Sequence, residues 1–118
     1  MVQKVRSYKD LVAWQKAIEL ADKIYEITER FPKHELYGLC AQIRRATVSV
    51  PSNIAEGSVR GKKEFSHFLN IARGSLAEVE TQIIIAARRN YVTQHEAEEI
   101  ESTAEELSRV LMGLLKSL

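Results

Sequence analysis

Apolar residues recur at steps of three and four along almost the whole chain, and breakers interrupt them at only three places: Phe31-Pro32-Lys33-His34, Gly57-Ser58-Val59-Arg60-Gly61 and Asn90-Tyr91-Val92-Thr93. That spacing keeps the residues on one face of a helix, so the pattern predicts four amphipathic rods joined by short bends. In the first rod, Ser7 with Asp10 three positions on reads as the N-terminal cap. Leu11, Trp14, Ile18, Ala21, Tyr25 and Thr28 form its main stripe, and Pro32 ends it after Phe31.

The second rod carries Leu36, Leu39, Cys40, Ile43, Ala46, Thr47, Val50 and Ile54. Pro51 lies within it. A proline there removes one intrahelical hydrogen bond while the apolar register continues, so a kink at Pro51 is expected rather than a break. The third rod offers Phe65, Phe68, Leu69, Ala72, Leu76, Val79, Ile83 and Ala86 or Ala87. The fourth opens on the capping-box spacing of Thr93 and Glu96 and runs through Ala97, Ile100, Ala104, Leu107, Leu111, Leu114 and Leu118. Period-two alternation is absent. The fold class expected is therefore all-α, an antiparallel up-down-up-down four-helix bundle forming a single domain over residues 1–118.

Two rods carry more apolar surface than one core needs. Ala13, Ala17, Leu20 and Ile24 widen the first stripe to about half the circumference at 100° per residue. Ile83, Ile84 and Ile85 point in three directions, so at least one of them must leave the core. Such side chains mark subunit contacts, and Ala17, Ile24, Ile84 and Ile85 are the candidate interface of a homo-oligomer. Scattered exposed apolar residues are the plainer reading.

Composition adds limits. One cysteine, Cys40, allows no intrachain disulfide and points to a reducing, cytoplasmic setting. The start of the chain holds Lys4, Arg6 and Lys9 with no apolar block behind them, and the longest apolar run is Ile83 to Ala87, so neither a signal peptide nor a membrane span is expected. The formal charge of +1 conceals an uneven distribution. Residues 33–63 sum to +4 and residues 91–118 to −4.

Arg60, Lys62 and Lys63 stand where the third helix should begin, and cations there oppose the helix dipole by about 0.3 to 1 kcal/mol each. A phosphate would offset that cost. Hence one reading has Arg44, Arg45, Arg60, Lys62, Lys63 and Arg73 contacting a nucleic-acid backbone. The other has them solvated, or paired with the acidic fourth helix of a neighbouring subunit.

On the second rod, Arg45, Ser49, Asn53 and Glu56 form a polar stripe, and Ser75, Glu78 and Gln82 offer a mate on the third. The two stripes form either a register-setting network with an Arg45–Glu78 ion pair or an ordinary solvent face. Enzymatic chemistry finds little support. Glu64-x-x-His67 lacks the second Glu-x-x-His pair of a di-iron bundle, His95-Glu96-Ala97-Glu98-Glu99 lacks the second histidine of a zinc-protease helix, and Gly57-Ser58-Val59-Arg60-Gly61-Lys62-Lys63 is one residue short of a phosphate loop. Cys40 sits on a buried stripe, where a thiol is unreactive. Neither a metal nor a cofactor is expected.

The segment Gln42-Ile-Arg-Arg-Ala-Thr-Val-Ser-Val-Pro-Ser-Asn-Ile-Ala-Glu-Gly57 resembles the bacterial four-helix-bundle family encoded by intervening sequences of 23S ribosomal RNA genes. Trp14-Gln-Lys-Ala17, Phe31-Pro32, Glu35-Leu-Tyr-Gly-Leu39 and Ala72-Arg-Gly-Ser-Leu76 with Glu78 extend the likeness over nearly the whole chain. Arg45, Ser49, Pro51, Asn53, Glu56 and Gly57 match the family motif. The resemblance implies an up-down four-helix bundle, a ring-like homopentamer and no established catalysis. A similar bundle is the accessory protein of diversity-generating retroelements, whose basic pentamer surface engages nucleic acid and a reverse transcriptase. By that analogy the chain is expected to be a non-enzymatic scaffold that contacts RNA or DNA weakly. The alternative is a protein interaction module with no nucleic-acid role.

Overall fold

The computed structural model describes residues 7–118; Lys4 and Arg6 lie outside them. Four α-helices account for most of the described chain: α1 (Val12–Thr28), α2 (Leu39–Ser58), α3 (Lys62–Arg88) and α4 (Gln94–Lys116). Short 3-10 turns at Tyr8–Asp10 and Lys33–Glu35 precede α1 and α2. Residue pairs across two of the seams run in opposite directions. Lys16 and Lys23 of α1, and Arg30 in the turn after it, meet Glu106, Glu99 and Glu96 of α4. On α2, Ser49 and Gly57 meet Ser75 and Phe68 of α3. Neighbouring helices are therefore antiparallel, as short connections between long rods require.

Local chemistry explains the ends. The Ser7–Asp10 capping box is present, but it closes the 3-10 turn; Leu11 is then extended and α1 starts one residue later. The first helix is shorter than its apolar pattern suggests for that reason. At α2 the cap comes from outside the helix, where the Glu35 carboxylate accepts from the Leu39 amide at 3.1 Å. Asn90 adopts φ 62° after α3, a left-handed conformation that asparagine tolerates, and the Tyr91 amide reaches back to the Ala86 carbonyl at 2.9 Å. The Thr93–Glu96 box caps α4 as its spacing predicts. Through Pro51, α2 continues as one helix.

The core corrects the expected face of α1. Ala13, Ala17, Leu20, Ile24, Ile27 and Thr28 are its buried residues, whereas Tyr25 is exposed and Trp14 half-buried. Ala17 and Ile24 are fully enclosed by their own chain and so are not free to form a subunit contact. Small and aliphatic side chains let α1 approach its neighbours closely, while the larger rings take the margins: Trp14 lies edge-on to Tyr8, and Tyr25 sits under the Arg44 guanidinium. Leu36, expected on the α2 stripe, lies before that helix begins and is exposed. Of the isoleucine triplet, Ile83 is buried, whereas Ile84 and Ile85 remain 45% and 44% exposed.

Charge follows the seams. Three acidic residues of α4 are bonded within the subunit to cations of α1 and of the turn that follows it. The Arg30 bond, and then the Thr93 amide, hold the Glu96 carboxyl below its ordinary range. At the α3–α4 seam the balance reverses. Burial, followed by repulsion from Glu105 and Glu101, pushes the Glu80 carboxyl upward.

Two consequences are measurable. A Cβ on Gly57 would stand 2.7 Å from Phe68 Cβ and 3.0 Å from Phe65 Cδ1, whereas one on Gly113 meets nothing within 4 Å. Gly57→Ala should lower the unfolding free energy by about 1–3 kcal/mol and Gly113→Ala raise it by up to about 1 kcal/mol, read from urea midpoints. For Glu80, a raised folded value means that the native state holds its proton more tightly, so stability falls as pH rises from the ordinary carboxyl value, about 4.3, through the raised one. Glu80→Gln should increase Tm at pH 7, and the gain should vanish in scans below about pH 4.

Candidate functional site

The polar stripes of α2 and α3 do meet. Asn53 Nδ2 donates to the Ser49 carbonyl at 2.8 Å and to Ser49 Oγ at 2.9 Å, and Ser49 Oγ lies 2.8 Å from Ser75 Oγ. Ser49 Oγ accepts from Asn53 and shares one proton with Ser75 Oγ, either hydroxyl being able to donate. A short relay therefore links the helices beside Pro51. Glu56 is not part of it: one helical turn away, Arg60 captures its carboxylate at 3.1 Å.

Beyond Ser49 and Ser75 the seam opens into a cleft of about 470 Å³ between Gln42, Arg45, Glu78 and Gln82. Arg45 and Glu78 line this cleft without forming the expected ion pair; both are solvated, and a pair held in water gains little. Gln82 Oε1 is buried there without a donor, as is Thr47 Oγ1 within α2.

The six candidate nucleic-acid cations do not form one patch. Arg44 turns towards α1, donating to Thr28 Oγ1 at 2.8 Å and covering the Tyr25 ring. Arg60 lies between Glu64 and Glu56, each at 3.1 Å, and over the Phe68 ring; the Glu64 bond is the main reason that its guanidinium holds its proton more firmly than usual. Arg73 donates to Asn70 Oδ1. Arg45 lies in the cleft, and Arg44 is about 21 Å along α2 from Ser58, beyond which Arg60 stands. Lys62 and Lys63 remain as adjacent exposed cations free of ion pairs, in a first turn that also holds Glu64.

Cys40 is buried, with its Sγ 3.9 Å from the Thr28 carbonyl. His67 packs edge-on against Phe68, and among the described residues no three His, Cys, Asp or Glu side chains gather as metal ligands would. A feature that periodicity did not reveal is the knuckle before α2. Tyr91 packs on Phe31 and donates to Glu35 Oε2 at 2.9 Å, fixing the bend that displays Tyr37. Its only trace in the sequence is Glu35-Leu-Tyr-Gly-Leu39, since a contact spanning 56 positions has no local signature.

Among solved structures, the chain is similar to a protein of unknown function from the S23 ribosomal protein family of Bacteroides thetaiotaomicron. The TM-score is 0.82 at 25% identity, covering 89% of this chain and 99% of that one. No curated protein sequence matches it significantly. The model of the 23S rRNA-intervening sequence proteins matches residues 9–113, which takes in all four helices except the last residues of α4. With the helix order, the Ser49–Asn53 relay and that match in agreement, the chain belongs to the 23S rRNA-intervening sequence protein family.

Proposed function

We propose that this protein is a non-enzymatic, self-assembling helical scaffold of the cytoplasm, and that its working form is a ring of five copies. The observation that carries the reading is the exposure of Ile84 and Ile85 on a helix whose core face is already complete. Val48 and Ile71 add apolar surface on α2 and α3. Leaving such side chains in water forgoes about 1.5–3 kcal/mol each, which association recovers. Family resemblance supports the number five. No helix among the described residues is long and apolar enough to cross a membrane, in keeping with a cytoplasmic role.

A second reading adds weak contact with an RNA or DNA backbone, and the observation favouring it is that Lys62 and Lys63 are exposed and unpaired. Such contact would be salt-sensitive and indifferent to base sequence.

Gel filtration with light scattering should return a particle five times the 13.4 kDa of one chain, holding its mass on dilution to low micromolar concentration. A monomer under those conditions rejects the scaffold. For the second reading, Lys62→Ala with Lys63→Ala should weaken binding to a single-stranded RNA and flatten its log–log salt slope by about 1.4, at roughly 0.7 for each phosphate that a lysine no longer neutralises. Unchanged affinity and slope would leave an interaction module without a nucleic-acid role.

A further inference from the structure

The single chain leaves two sets of polar groups unanswered, one on each side of α3. On the α2 side, Arg45 and Glu78 line the cleft, exposed and without an ionic partner. On the α4 side, a groove of about 260 Å³ is lined by Ile84, Arg88 and Glu101, and neither of these charges is paired. All five ion pairs of the described residues involve other groups. Glu101 also faces Glu80, so the groove lacks a cation near its acidic end.

Neither set can satisfy the other within one subunit. Glu78 and Arg88 are ten residues apart on α3, about 15 Å along the axis, and they open on different seams. The isoleucines divide in the same way. Ile85 follows Glu78 and Gln82 at steps of four and three and so shares their face, while Ile84 is turned about 100° away and lines the groove. A two-fold contact of either face with itself would cover one isoleucine and expose the other. A head-to-tail contact covers both on every subunit and closes into a ring when the rotation permits.

We infer that the α3–α4 groove of one copy seats on the α2–α3 cleft of the next. This inference rests on the scaffold reading and specifies its interface. Arg88 of one subunit enters the neighbouring cleft and donates to the partner subunit's Glu78. The partner subunit's Arg45 donates to Glu101. Ile84 packs against Ile85 of the partner subunit, which is exposed in the single chain. Each cleft is completed only by the neighbouring copy, so the unpaired charges of both faces acquire partners in a single step.

Charge exchange tests this arrangement in the full chain. Glu78→Arg and Arg88→Glu should each raise the dissociation constant of the assembly roughly tenfold or more, and the double variant should return it close to that of the unmodified protein, because the exchanged charges meet across the interface. Ile84→Asp and Ile85→Asp should each dissociate it. Circular dichroism confirms that every variant is helical. An assembled parent whose single charge variants are unaffected, whose double variant is not rescued, or which tolerates one of the two aspartates, overturns this interface and leaves the scaffold standing. A monomeric parent overturns both.

Discussion

The close approach of α2 to α3 is the constraint on which the other features depend. Helices come this near only where a side chain is missing or small, and here Gly57 receives Phe65 and Phe68 while Ser49 meets Ser75 through a hydrogen bond. Asn53 donates to the Ser49 oxygen, so three side chains converge on this contact and fix the register between the helices as well as their separation. Pro51 sits in the middle of this stretch and is buried. Tight at the Gly57 end, the seam opens past Ser49 into the cleft of Arg45, Glu78 and Gln82.

Electrostatics divides the bundle differently from the linear charge map. Half of the acidic residues of the last segment are engaged inside the subunit, where Glu96, Glu99 and Glu106 meet Arg30, Lys23 and Lys16. These pairs are partly exposed and individually weak, yet they align two helices far apart in sequence. What remains is a local excess of carboxylates at the α3–α4 seam, around Glu80, and a cleft on the opposite side of α3 whose charges have no mates. The basic second segment disperses in a similar way: Arg44 serves the α1–α2 seam, and Arg60 closes the bend between α2 and α3.

Membership in the 23S rRNA-intervening sequence family accounts for the fold and for the motif around Pro51, which builds a helix seam. The same seam connects fold to association, because the cleft it leaves open is where the proposed interface lies.

Local sequence was sufficient for the number of helices, for most of their ends and for the Thr93–Glu96 cap, because breakers, caps and the step of three and four act over a few residues. It was also sufficient to show that the isoleucine triplet could not all be buried. Rotation was another matter. The stripe on α1 covers half the helix, and periodicity alone cannot choose between its aromatic half and its aliphatic half; packing chose Ala17, Leu20 and Ile24 for the core and put Trp14 and Tyr25 at the margins. The fate of each charge was likewise settled only by the assembled bundle. Lys16 finds Glu106 across 90 positions and Arg45 fails to pair with Glu78 across a cleft, because ion pairing depends on the distance between helices, which no short stretch of sequence contains.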